Sequence, residues 1–114
     1  MKLKFYTLAV MLFTVLVSAE LEAGGWNGAA NVKKIYPHSI NNTDGTVYYA
    51  FDVMKNPDTC EKSSLMALKK SNNLSSEIYS LILTAFTTKT KVNIYVGGCD
   101  AGGYPVLLHA YIDG

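Results

Sequence analysis

The stretch from Asn73 to Tyr104 limits what this chain can become. Ile78, Leu81, Ile82 and Ala85 recur at i, i+3, i+4 and i+7, which is one face of a helix. Asn73 and Ser75 are suitable N-caps, since their side-chain oxygens can accept from an orphan N–H, and Glu77 suits the positive end of the helix dipole. Tyr79, Leu83 and Phe86 widen the apolar surface beyond one stripe, and the polar remainder, Ser80, Thr84 and Thr87, carries no charge. A lone surface helix carries Lys or Glu there, so this one is expected to be covered on more than one side. The polar connector Thr87 to Thr90 leads into Val92, Ile94 and Val96, which alternate with Asn93 and Tyr95 as in a half-buried strand. Gly97 and Gly98 end that strand and put Cys99 in a loop.

Around this middle the pattern has period two. Val32 to Ile40 reads as a first strand, restricted by Pro37 to an edge or a bulge. Asn41 to Gly45 is dense turn chemistry, with Asp44-Gly45 a hairpin signal. Thr46 to Met54 puts Val47, Tyr49, Phe51 and Val53 on one face, and Asn56-Pro57-Asp58 breaks it. Ser63 to Leu68 is ambiguous between strand and helix and is assigned as strand, because the Cys60 loop must return to the sheet. In the last strand, from Pro105, Val106, Leu108, Ala110 and Ile112 share one face and Leu107, His109 and Tyr111 the other. Three strands, one helix and two strands (β-β-β-α-β-β) is the order of an OB-fold, a five-stranded Greek-key barrel with its helix between strands three and four. Glu20 to Asn31, rich in Gly and Ala, reads as a loosely attached arm pinned by Trp26.

Met1-Lys2-Leu3-Lys4 is a basic start, Phe5 to Val17 is an apolar run of 13 residues, and Val17-Ser18-Ala19 supplies the small residues a signal peptidase reads. The expected products are a signal peptide over residues 1–19 and a single domain over 20–114, located in the periplasm or secreted, with Ala23 as a second cleavage point. The run is too short for a mature membrane span. Loss of Lys2 and Lys4 leaves eight lysines against nine acidic residues and no arginine, which makes no electrostatic case for nucleic acid or an anionic membrane. In an oxidising compartment the two cysteines, Cys60 and Cys99, are expected to bridge and staple a domain too small to bury much surface.

No catalytic constellation stands out. His38 and His109 have no partner at the spacing of a dyad or metal site, and a histidine beside Leu107 and Tyr111 is expected to be packed or interfacial. Asp52 is expected to hold a loop or a neighbour, not to act as an acid or base. Gly97-Gly98 and Gly102-Gly103 lack the Lys-Ser or Lys-Thr of a phosphate loop. The expectation is a non-enzyme without cofactor or metal. Eight tyrosines and one tryptophan suit both a core and sugar stacking.

Trp26-Asn27-Gly28, Val47-Tyr48-Tyr49, Cys60 before the helix, Phe86-Thr87-Thr88, Val92-Asn93-Ile94-Tyr95 and Tyr104-Pro105 together resemble the B subunits of subtilase cytotoxin and typhoid toxin. The resemblance implies a pentameric OB-fold B subunit, with helices lining a central pore and an outer surface that binds sialylated glycans. No sugar-contact residue is carried over, because the segment after Trp26-Asn27-Gly28 is shorter here than in the family. The leading expectation is a non-catalytic binding subunit for a glycan or a partner protein, and a stand-alone periplasmic structural or inhibitory protein is the alternative. Trp26 and Tyr104, in Gly-rich loops, are the candidate ligand platforms. Tyr79, Ser80, Leu83, Thr84, Thr87, Leu107 and Tyr111 are the candidate surface for a homo-oligomer or its pore.

Overall fold

Asn31 is the point about which the chain divides. It separates strand β1 (Gly25–Ala30) from strand β2 (Val32–His38), two strands that lie at opposite ends of the same sheet. The computed structural model describes residues 24–39 and 45–114. Within them follow β3 (Thr46–Phe51), β4 (Met66–Lys69), helix α1 (Ser75–Thr88), β5 (Val92–Cys99) and β6 (Pro105–Tyr111). The signal segment, Ile40 of the expected first strand and Asn41 to Asp44 of the expected turn lie outside the described residues.

The described residues are mainly β with one helix. Their open six-stranded sheet has the order β1-β5-β6-β4-β3-β2, antiparallel except for β4 against β6. Among the described residues the expected five strands are therefore six, and the sheet is open. The additional strand is β1, which was expected to be an arm. Its residues are mostly Gly and Ala, so it has no hydrophobic alternation to betray it, and its register against β5 shifts between Trp26 and Gly28. Gly28 sits at φ +88°, where a side chain is disfavoured whatever the space around it.

Side chains complete the backbone hydrogen bonds at the irregular places. Buried Asn27 acts like a piece of strand: its amide donates to the Val53 carbonyl at 2.8 Å and its carbonyl accepts from Lys55 N–H at 2.7 Å. Asp58 accepts from Gly24 N–H and from Gly98 N–H, at 3.1 and 2.7 Å, tying the start of β1 to the end of β5. At the β1–β2 break, Asp52 accepts from the Asn31 N–H and the Asn31 side-chain amide, both at 2.8 Å, and its own N–H donates to the Asn31 carbonyl at 3.0 Å. Asp52 thus holds a neighbour, as expected.

The side-chain and backbone hydrogen bonds from Asn31 hold the Asp52 pKa below the usual carboxylate value. A carboxyl depressed on folding contributes stability above its unfolded pKa of about 3.9, and that contribution is lost as pH falls through the lower folded value. Asp52→Asn removes one source of that acid dependence. Its stability measured by denaturant at several acid pH values should fall less steeply than that of the wild type, and identical slopes would contradict the Asn31–Asp52 contact.

The core lies between the sheet and α1. Tyr49, Met66, Leu68, Val92, Ile94, Val96 and Leu107 meet Ile78, Ile82 and Ala85 from the helix there, with Leu81 and Tyr79 partly buried against them. The helix face is the expected one, but its entry is not. Leu74 occupies the N-cap without a side-chain bond, and Asn72, not Asn73 or Ser75, organises the turn by accepting from Leu74 N–H at 2.9 Å. Lys89 ends the helix in the left-handed conformation, φ 57°. β3 and β4 are strands as read, but β3 ends at Phe51 and β4 starts at Met66 and runs one residue further, to Lys69.

β6 departs most from its pattern. Tyr95 pairs with His109 but Val96 pairs with Leu107, so Leu108 is an extra residue and the alternation flips there. Leu107 is fully buried in the core and Leu108 is 39% exposed, the reverse of the expected faces. Beyond the bulge, Tyr111 is exposed as expected, and His109, expected to be packed or interfacial, is exposed too.

Candidate functional site

The two expected ligand platforms, Trp26 and Tyr104, stand in two separate groups of rings. Trp26, Tyr95 and His109 form a row across β1, β5 and β6, since Tyr95 pairs with both of the others. Trp26 lies 5.1 Å from Tyr95, 5.4 Å from His109 and 5.5 Å from Tyr111 between ring centroids, and Tyr95 stacks on His109 at 4.7 Å. Despite three ring neighbours the indole remains 48% exposed and Tyr111 42%. The register produces this group: the β1 irregularity turns Asn27 inward and leaves Trp26 outward, while the β6 bulge puts His109 and Tyr111 on its side.

The second group surrounds Tyr48. Tyr36 is its cross-strand partner, and His38 and Tyr104 lie 5.8 and 5.2 Å from it between centroids. Tyr104 follows a tight turn in which Asp100 Oδ1 accepts from Tyr104 N–H at 2.8 Å, while Asp100 Oδ2 lies 3.4 Å from the Tyr48 hydroxyl. Lys62 Nζ stands 5.3 Å from the Tyr104 ring centre. Burial, followed by the nearby Asp100 charge, raises the Tyr48 pKa, so its hydroxyl keeps its proton at neutral pH.

The Cys60–Cys99 disulfide holds this second group together. Cys60 is buried and sits in a loop closed by Asn56, which accepts from Cys60 N–H and donates to the Cys60 carbonyl, both at 2.8 Å. Two residues on, Lys62 N–H donates to the Gly103 carbonyl at 2.8 Å. The bridge and this hydrogen bond bring the segment carrying Lys62 against the turn carrying Asp100 and Tyr104.

The expected assembly surface is only partly brought together. Ser80, Leu83, Thr84 and Thr87 are exposed on α1, and Tyr79 is partly buried beside the core. Leu107 is removed from this set by its burial in the core, and Tyr111 belongs with Trp26. The stripe hydroxyls bond to their own helix: Thr84 donates to the Ser80 carbonyl at 2.9 Å and Thr87 to the Thr84 carbonyl at 3.1 Å. Tyr95, Tyr48, Tyr36, Lys62 and Asp100 were not singled out from sequence. The one available signal was the outward position of Tyr95 and Tyr48 in alternating strands, which names no partner.

Among the described residues no group of three or more His, Cys, Asp or Glu is arranged to hold a metal ion. No described helix is long and apolar enough to cross a membrane. Comparison of the chain with family models, curated proteins and solved structures yields no match.

Proposed function

We propose that this chain is an exported, non-catalytic binding subunit that recognises a glycan through the ring group around Trp26. The observation that carries this reading is an indole left half in water although three aromatic neighbours flank it. Aromatic faces stack on the C–H faces of sugars, and the indole N–H, phenol and imidazole tips can meet hydroxyls. Export is supported by the basic start, the apolar run and the disulfide, a bond that persists outside the reducing cytosol. The OB-fold reading is supported by connectivity: β1 and β2, joined through Asn31 alone, act as one bent strand that reaches both ends of the sheet. Counted so, five strands with a helix between the third and fourth have the OB-fold order. The resemblance to toxin B subunits agrees with this reading.

A glycan array of the folded protein should show weak, selective binding. Trp26→Ala should weaken it about fivefold, since a stacked ring contributes on the order of 1 kcal/mol. A blank array with folded protein would favour the stand-alone structural or inhibitory alternative.

The subunit is proposed to form a ring, pentameric by resemblance. Support comes from the outer face of α1, where Leu83 and Phe86 are 39% and 45% exposed and the hydroxyls between them are already satisfied. Such a face loses little on desolvation and gains from burial of its apolar part. A closed rotation would also prevent open polymers. Light scattering at tens of micromolar should give a multiple of the subunit mass, and Thr84→Glu should lower it with the fold intact. A monomer mass for the wild type would end the ring proposal.

A further inference from the structure

The second ring group has chemistry that the Trp26 group lacks: the Asp100 carboxylate and the Lys62 ammonium at the same aromatic wall, with Glu61 beside them against Gly103. Asp100 uses one oxygen on Tyr104 N–H at 2.8 Å and holds the other at a long 3.4 Å from the Tyr48 hydroxyl. A carboxylate offers roughly four acceptor sites, so acceptor capacity remains there. Lys62 is exposed, and its ammonium lies over the Tyr104 ring with three rotatable donors. Tyr36, 45% exposed, extends the wall beyond Tyr48.

We infer that Tyr48, Tyr104, Asp100 and Lys62 form a second binding site, one that takes a neutral pyranose through a pair of adjacent hydroxyls. The charges decide the class. Glu61, whose side chain lies against Gly103, adds a second carboxylate, so two acids and one base disfavour a free anion while the Lys62 ammonium disfavours a free cation. A sugar hydroxyl is both donor and acceptor, and two neighbouring ones meet the carboxylate and the ammonium at once. These are charge-assisted hydrogen bonds, stronger than neutral ones. The exposed Tyr36 ring and the half-buried Tyr48 and Tyr104 rings supply the apolar surface against which the pyranose ring lies. The ligand class rests on the glycan-binding reading, but the site, its residues and its polar contacts are independent of Trp26. With both sites filled, one subunit engages two sugars, and a branched glycan that spans them gains by effective concentration.

The test is a titration of the folded, ¹⁵N-labelled disulfide-bonded protein with the methyl pyranosides of glucose, galactose and mannose, read by amide and indole shifts. At least one sugar should move the backbone amides of Lys62 and of Asp100 to Tyr104 saturably. Lys62→Ala, at an exposed position, and Asp100→Asn, which keeps the oxygen that accepts from Tyr104, should each weaken those shifts about tenfold. Trp26→Ala should leave them unchanged. If the Trp26 indole responds while the Asp100–Tyr104 amides stay still, the second site is overturned and the Trp26 reading stands. If those amides move but neither substitution weakens the effect, the assigned polar chemistry is wrong. Movement at Asp100–Tyr104 without any at the indole would keep this site and count against the Trp26 reading. Silence at both overturns both.

Discussion

Replacing Cys60 and Cys99 together with serine should cost about 4 kcal/mol of stability, on the chain-entropy scale for a crosslink. The two cysteines are 39 residues apart, so the crosslink constrains nearly the whole middle of the chain, from the end of the β3 loop through β4 and α1 to the end of β5. For a domain of about 100 residues this corresponds to a fall in Tm of roughly 20 °C. Small domains have total stabilities of about 5–15 kcal/mol, so the double variant should be close to unfolding at 37 °C. The loss should be felt first around Tyr104. Without the bridge, the Lys62 to Gly103 and Asp58 to Gly98 hydrogen bonds and the Lys62 contact to Tyr104 remain between the two segments. Differential scanning calorimetry of oxidised protein and double variant is the measurement. A shift of only a few degrees would mean that those hydrogen bonds are sufficient and that the bridge is an accessory.

The next largest effect should come from Leu107→Ala, with a loss of about 3 kcal/mol, in the range for truncating a wholly buried leucine and leaving a cavity. The neighbouring Leu108→Ala should cost under about 1 kcal/mol, because that side chain is partly in water already. Sequence alternation alone ranks the pair the other way round, with Leu108 inside. Urea unfolding of the two variants therefore measures the β6 bulge directly. Equal losses, or a larger one at Leu108, would contradict the pairing of Val96 with Leu107 and Tyr95 with His109.

Part of the candidate binding surface was open to reasoning from sequence and part was not. Trp26 and Tyr104 stood out as large rings among glycines, and both are in ring groups. Their companions did not stand out. Tyr95 and His109 are 14 residues apart in the chain and meet because β5 and β6 pair in one register. Lys62 reaches Tyr104 because a disulfide and one backbone hydrogen bond join two loops. A substitution that shifts a register by one residue would scatter either group without touching a ring.

The amino-acid order by itself determined α1, whose 3.6-residue period chose Ile78, Ile82 and Ala85 for the core. It determined residues 46–51 of β3 and 92–96 of β5 through strict alternation, though not that β5 runs on through Gly97 and Gly98 to Cys99, and it determined the pairing of the only two cysteines. These are local or exclusive signals: a period, or a partner without a competitor. Tertiary structure alone decided that the Gly- and Ala-rich arm becomes β1, because small residues carry no period and the strand exists through its bonds to β5. It also decided which face of β6 is buried. One bulged residue inverts every side chain on one side of it, and whether that bulge forms depends on the strand opposite, which the sequence of β6 does not contain.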